Sequence, residues 1–289
     1  MGQIFDFSEI EKNEKVIRKT WGEFRDALEK GLFSYDEVEN AKKCTFLRVY
    51  DDLFNQNSGM EHKTVMIKEI KNMLIGRGTI LDVKENPDYD RFIPKKEFIK
   101  EDNRFSPLGI EWLYLAIGEK DSIHRCAQAE CRAKSGDRFG FCYFKFDEKY
   151  DEFKLVDLTI ADDVSYDELN QRLEAYGQKQ VKKGIKKAKV LGYISRNIVD
   201  EKEFKKLFKQ WFVYTYSKLL SEQIFEPLDN TDDKSIVYAP FQTMAQYYIS
   251  LGYSGIVYGS TVCDEGKNIV LFDKNMAFPM GLIEDITIL

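Results

Sequence analysis

A carboxylate set on the apolar face of a helix is the first feature of this sequence that asks for a chemical explanation. The stretch 122–133, SIHRCAQAECRA, opens on Ser122, a good N-cap, and then places Ile123, Cys126, Ala127 and Glu130 on one helical face. A carboxylate on a stripe expected to be buried must be paired, hydrogen-bonded or put to use, because an unpaired buried charge is costly. Periodicity alone favours the ordinary answer, a salt bridge to a nearby basic residue. Arg104 lies in RFSPLG, and an arginine on a Pro/Gly-shaped loop can clamp a diphosphate through two parallel hydrogen bonds, although a surface position is the commoner fate of a single arginine. Tyr114, inside WLYLA, is either plain core or a ring presented to a flat ligand. Ser260 ends GYSGIVYGS, where small residues allow close approach of a ligand to backbone. With no histidine near it in the chain, Ser260 suits hydrogen bonding better than a triad nucleophile. Asn268 opens NIVLF and either caps a turn or faces the same pocket.

The elements that must carry these residues fall into two parts. Ser8 and Glu11 form a capping box, after which Ile10, Ile17, Trp21, Phe24 and Leu28 share one helical face until Gly31. Ser34 and Glu37 repeat the device ahead of Val38, Ala41, Leu47 and Phe54. Met66, Ile67, Ile70, Met73 and Leu74 make a third stripe, which the Gly76-Arg77-Gly78 segment is expected to close. Residues 80–103, polar and broken by Pro87 and Pro94, read as a linker. The spacing therefore predicts a helical N-terminal subdomain and linker over residues 1–90 and an α+β catalytic unit over 91–289. Strands are expected at 112–117, 139–146, 153–160, 236–239, 255–258 and 268–272, with a helical insertion at about 166–223 carrying Phe204, Leu207 and Trp211.

Composition narrows the classes of function. A length of 289 residues suggests two units, or one with an extension, and 43% hydrophobic residues supply a core and exclude general disorder. No stretch is long and apolar enough to span a membrane. The start, MGQIFDFSEIEKNEK, has no basic head before an apolar run, and Asp6 and Phe7 do not provide the Ser or Thr of a myristoylation signal, so a cytoplasmic protein is expected. A net charge of −6 argues against nucleic-acid binding through overall charge. The six lysines of KQVKKGIKKAK, residues 179–189, read as a solvated helix face before they read as a docking patch for an anion. Cys44, Cys126, Cys131, Cys142 and Cys263 make neither a CxxC pair nor a disulfide framework, so no metal is expected and the thiols read as structural. The two histidines, His62 and His124, lie in no catalytic context.

Taken in order, these segments resemble the RES domain, named for its Arg, Glu and Ser. Arg104, Phe105 and Gly109 match an Arg–aromatic–Gly loop; Leu113, Tyr114 and Ala116 match a Leu–Tyr–x–Ala strand; Ala127 and Glu130 match a helix ending in Ala–x–Glu. Tyr238, Pro240 and Gln242 match a segment that opens a helix. Gly255, Ile256, Tyr258 and Ser260, then Asn268, Val270, Leu271 and Phe272, match the two closing strands. The resemblance covers residues 100–275 or so. It implies an ADP-ribosyltransferase-like fold of small packed sheets around an NAD cleft. It also implies an NAD-consuming toxin or defence effector that breaks the nicotinamide–ribose bond, as a glycohydrolase or phosphorylase. A mono-ADP-ribosyltransferase acting on protein, and a non-catalytic NAD sensor, are the alternatives. On this basis NAD is substrate and no cofactor is needed. Arg104 would hold the diphosphate, Tyr114 would meet the nicotinamide ribose, Glu130 would stabilise the oxocarbenium-like centre, and Ser260 would bond ribose or nicotinamide with Asn268 behind it. An antitoxin or regulatory protein and a second copy of the chain are the expected partners. Two departures stand out. The interval from Tyr114 to Glu130 is longer than in compact members, so Glu119 competes for the role, and the insertion before Tyr238 is an enlargement. Residues 1–80 resemble the helical HEPN region of larger RES proteins only in being helical and in front; Arg48 is followed by VYDDLFN without a histidine, which argues against ribonuclease chemistry.

Overall fold

The computed structural model describes residues 10–168, 170–171, 174–179, 182, 201–224 and 233–289. One mixed sheet runs through them, built from β1 (Thr64–Met66), β2 (Leu74–Leu81), β3 (Leu113–Gly118), β4 (Arg138–Phe146), β5 (Lys154–Asp157), β6 (Gly255–Gly259), β7 (Lys267–Leu271) and β8 (Ala277–Thr287). The strand order is β1-β5-β6-β7-β3-β2-β4-β8, with β5 and β6 parallel and the other pairs antiparallel. The helices are α1 (Ile10–Glu29), α2 (Val38–Ala41), α3 (Thr45–Tyr50), α4 (Ile67–Ile70), α5 (Lys120–Glu130), α6 (Glu201–Ile224) and α7 (Lys234–Ser250), with further helical turns at 166–168 and 174–179. The class is α+β, as the patterning implies.

Gly76 and Gly78 decide the fold of the front segment. Expected to stop a helix, they lie in the middle of β2, beside the aromatic residues of β4. A Cβ on Gly76 would come within 2.2 Å of the Phe141 ring, and one on Gly78 within 2.3 Å of the Phe139 ring. The glycines are needed because two phenyl rings lie against the strand at these positions. Each ring then fills the space that a side chain would take. The helical stripe expected at 66–74 is accordingly split into β1, the single turn α4 and the start of β2. The sheet thus draws strands from both sides of residue 90. The segment expected as a linker also packs inward, since Phe92 is fully buried in the core under β2 and β3.

Other expectations need smaller corrections. The strand expected at 236–239 is instead the first turn of α7, because the Asp233 side chain accepts from the Ser235 N–H at 3.0 Å and so caps a helix. Strand β8 was not anticipated; exposed positions such as Leu282 blur its alternation. The N-cap of α5 is Glu119 rather than Ser122, and its side chain makes no capping hydrogen bond. The Ser34–Glu37 device does form, with the Glu37 carboxylate 2.7 Å from the Ser34 N–H, but the helix after it is a single turn. Gly31 ends α1 with φ +65, as expected of a glycine at that point. The Ser8 cap, and most of the lysine-rich stretch, lie outside the described residues.

Side-chain alternation assigns the two faces of the sheet. Leu113, Leu115 and Ile117 point to one face, with Ile269, Leu271 and Phe92. Tyr114 and Ala116 point to the other. On this second face α5 packs Ile123, Cys126 and Ala127 on Ala116, Phe139 and Phe141. The layer of α1, α3, α6 and α7 covers Val156, Ile256 and Val270 through an aromatic cluster that includes Phe24, Phe46, Tyr50 and Tyr247. The two blocks of helix leave a gap over β3 and β6. Buried within the second block is Lys63, 2% exposed, whose Nζ donates to the Tyr50 hydroxyl at 3.1 Å.

Two outcomes follow. Gly76→Ala forces the Phe141 ring to move and is expected to cost ~1–3 kcal/mol, read as a lower urea midpoint, with partial recovery in the double variant with Phe141→Leu. Burial holds the Lys63 ammonium down to about 7, against nearby Asp157 and Asp162, which push it the other way. In that window the unfolded chain binds a proton that the folded chain has released, so stability rises with pH from about 7 toward the ordinary lysine value. Lys63→Met is therefore expected to stabilise the protein at pH 6 by about 1–4 kcal/mol, with a smaller gain at pH 9 in thermal melts.

Candidate functional site

The gap between the helix blocks is a cleft of about 480 Å³, lined among others by Asp102, Arg104, Tyr114, Glu130, Tyr258 and Thr261. Its parts come from far-separated segments, and each has a local reason to be there. Arg104 is held by α7. The buried Gln242 donates from Nε2 to Asp102 Oδ1 at 3.1 Å and to the Asn103 carbonyl at 3.4 Å, which pins the loop from behind. Phe105 then inserts fully into the core, edge-on to Tyr258. The guanidinium rests over the rings of Tyr238 at 5.6 Å and Phe241 at 5.1 Å, and donates to Thr261 Oγ1 at 3.2 Å. Cation–π contact of this kind helps to orient an arginine fork.

Tyr114 projects from β3 into the gap. Its hydroxyl pairs with Ser106 Oγ at 2.9 Å, and burial pushes the phenol well up, so the group remains a protonated donor. Tyr258 stands beside it on β6; burial, with Glu130 and Tyr114 nearby, pushes its phenol up as well. Sequence reasoning placed Tyr258 only within a strand pattern.

Glu130 is the last residue of α5, and it is exposed rather than buried. The apolar stripe does bury Ile123, Cys126 and Ala127, but the helix ends as the stripe reaches the cleft, so the carboxylate emerges into open space. Two donors tether it. Ser260 Oγ lies 2.8 Å and Asn268 Nδ2 2.6 Å from the same oxygen, Oε1. No hydrogen bond to Oε2 is found among the described residues. The salt bridge that periodicity favoured is likewise not found there.

Ser260 is fixed in turn. Its Oγ accepts from the backbone N–H groups of Val262 at 3.2 Å and Cys263 at 3.1 Å, and its N–H closes the loop on the Gly266 carbonyl at 2.8 Å. With both lone pairs engaged and the proton turned to Glu130, this hydroxyl is an orienting donor. Asn268, 4% exposed, is set by the Cys126 thiol, 3.3 Å from its Oδ1, which leaves the amide nitrogen for Glu130. All five expected site residues therefore belong to one constellation: Arg104, Tyr114 and Glu130 line the cleft, with Ser260 and Asn268 bonded to Glu130. Glu119 caps the opposite end of α5, about 16 Å away by helix rise, and drops out. His124 stacks on Phe141 and bonds Tyr143, outside the residues lining the cleft.

Arg77 was missed. Read as part of a helix stop, it sits on β2 between the two glycines, with its guanidinium close enough to Cys131 and Tyr114 to interact with both. Burial pulls its pKa down, and its Nη1 has no hydrogen-bond partner among the described residues. A half-buried arginine with an enclosed, unpartnered Nη1, next to Tyr114, adds positive potential to the cleft. The signal was an arginine between two glycines, legible only once that segment is known to be a strand.

The chemistry open to this arrangement is limited by its groups. Cations and a stacked arginine favour an anion, two tyrosines favour a planar ring, and one half-occupied carboxylate can stabilise positive charge. Among the described residues no cluster of His, Cys, Asp and Glu has the makings of a metal site. No helix among them is long and apolar enough to cross a membrane. Neither a family model, nor a curated protein, nor a solved structure matches the chain. Arg77→Met is expected to stabilise the fold by ~1–3 kcal/mol, because a guanidinium with an enclosed, unpartnered Nη1 is removed, while weakening inorganic pyrophosphate binding about tenfold by calorimetry.

Proposed function

We propose that the cleft binds NAD and breaks its nicotinamide–ribose bond by glycosyl transfer to water or phosphate, and that the chain acts as an NAD-depleting toxin or defence effector. The observation that carries this reading is the Glu130 carboxylate, anchored through Oε1 by Ser260 and Asn268 with Oε2 left open, in a cleft it shares with Arg104 and Tyr114. The leaving group explains why such a site needs little else. Nicotinamide is a pyridinium in NAD and departs neutral, so no general acid has to protonate it. What grows during bond breaking is positive charge at the ribose C1, and a carboxylate facing it lowers the barrier. In this reading Arg104 holds the diphosphate on its aromatic shelf, Arg77 reinforces the positive potential from behind, and Tyr114 packs against the nicotinamide ribose. Ser260 and Asn268 act through Glu130, a change from the direct ligand contacts that the resemblance implied.

The exposure of Glu130 supports a second reading, transfer of ADP-ribose to a protein acceptor, since the carboxylate has room for a macromolecule beside it. A module that senses NAD without turnover would have less need of a carboxylate held by two donors. The toxin role implies an antitoxin or regulatory partner, and pairing with a second copy belongs to the same proposal.

Incubation of the purified protein with NAD, with and without phosphate, is expected to release nicotinamide. Glu130→Gln should lower the rate about 10²–10³-fold while NAD affinity changes little. Failure of the wild-type protein to release nicotinamide in either buffer would overturn the proposal, and label transferred from NAD to protein would select the second reading.

A further inference from the structure

The tether on Glu130 belongs to a ring of groups with one link missing. Glu130 Oε1 accepts from Ser260 and Asn268, Asn268 Oδ1 accepts from the Cys126 thiol, and Ser260 Oγ accepts from the N–H of Cys263. Between Cys126 and Cys263 no covalent bond exists; both are free thiols. They nonetheless converge. A Cβ placed on Gly266 would stand 2.9 Å from Cys126 Sγ and 3.1 Å from Cys263 Cβ, so both side chains close on the same glycine. Cys263 also acts on the Cys126 thiol through space and through a side-chain hydrogen bond. Cys126 is fully buried on α5, whereas Cys263 is half-buried in the loop 260–266, where Glu265 is held at φ 59.

We propose that Cys126 and Cys263 are joined reversibly as a disulfide by peroxide, and that this bond uncouples Ser260 and Asn268 from Glu130. The consequence for activity rests on the reading of Glu130 as the working carboxylate; the bond itself does not. Cys263 reacts first, being the more open to solvent. Its thiolate attacks one oxygen of the peroxide, the O–O bond breaks, and hydroxide leaves with a proton as water, giving a sulfenic acid. Cys126 Sγ then attacks that sulfur, the S–O bond breaks, and the departing hydroxide takes the Cys126 proton as a second water. Two thiols are oxidised and one peroxide is reduced. Burial, with the Glu130 charge beside it, pushes the Cys126 thiol up to about 12, so Cys263 rather than Cys126 meets the peroxide, and Cys126 resolves the sulfenic acid by its proximity. Once bonded, Cys126 has no hydrogen for Asn268 Oδ1, and Cys263 is drawn toward α5, which pulls its N–H from Ser260. Both donors to Glu130 then lose what orients them. A thiol reductant reverses the step by exchange.

The test treats the purified full chain with hydrogen peroxide, then reads the intact mass, the tryptic map and amide exchange over 260–266. The expected product is lighter by two hydrogens, with a peptide pair linking 126 to 263 that dithiothreitol releases. Amide exchange at 262 and 263 should accelerate at least about tenfold, and NAD cleavage should fall by about tenfold or more and recover on reduction. Cys263→Ser should keep the basal rate and lose all four responses, and Cys44→Ser should keep them. Absence of the 126–263 link overturns the proposal, as does a link that leaves exchange in the loop unchanged. If the link forms and exchange rises but the reduced protein never cleaves NAD, the thiol switch stands and the proposed function fails.

Discussion

Two hydrogen bonds to one carboxylate oxygen hold this site together. Glu130 is at a helix end, Ser260 on the loop after β6, and Asn268 on β7, so the pair of bonds fastens α5 to the β6–β7 hairpin beside the cleft. Charge-assisted bonds of this kind are stronger than neutral ones, and placing both on Oε1 fixes the carboxyl plane while sparing Oε2. An exposed carboxylate is usually a solvated surface group; here its geometry is set by partners that are themselves set. Cys126 orients Asn268, and backbone N–H groups orient Ser260. Precision at Glu130 is thus inherited from the strands.

The strands depend on close ring packing over β2. Because Phe139 and Phe141 occupy the space above Gly78 and Gly76, α5 can settle on those rings with only Cys126, Ala127 and Ile123 beneath it. That seat determines where α5 ends, and so where Glu130 leaves the helix. The aromatic layer on the other side does the same for Arg104, through Gln242 and the shelf of Tyr238 and Phe241. The cleft is what remains between two separately packed blocks.

Much of this was readable from residue order. Residue patterns single out Arg104, Tyr114, Glu130, Ser260 and Asn268 one at a time, each with an ordinary structural reading beside it, and their joining into one site is what the resemblance to the RES domain implies. Strands β3, β4, β6 and β7 are legible as short apolar runs bounded by turn residues, and helix α1 from its apolar face ended by Gly31. What failed was local. Gly76-Arg77-Gly78 reads as a stop because glycine ends helices, and nothing nearby in the chain reveals that rings 61–65 residues later will cover it. That error hid Arg77 and made the front segment look wholly helical. Residues 236–239 suit a strand by type but are claimed by the Asp233 cap. Exposure of Glu130 could not be read from periodicity, which gives the face of a helix but not the point at which its cover ends.

Stability and function pull against each other at two places. Lys63 is a buried cation and Arg77 a half-buried one whose Nη1 is enclosed, and burial lowers the pKa of each. Such groups are costly and are replaced easily where they serve only packing. Arg77 lies next to Tyr114 and Cys131, which line the cleft, so its cost has an account in the anion binding proposed there. Lys63 lies among the aromatic rings behind Phe105, and no comparable benefit is evident for it.

The most direct measurement is a crystal structure of Glu130→Gln grown with NAD. The account predicts NAD density in the cleft, with the diphosphate on Arg104 and the nicotinamide ribose beside Tyr114 and residue 130. NAD bound elsewhere, or a cleft that stays empty at saturating NAD, would contradict it.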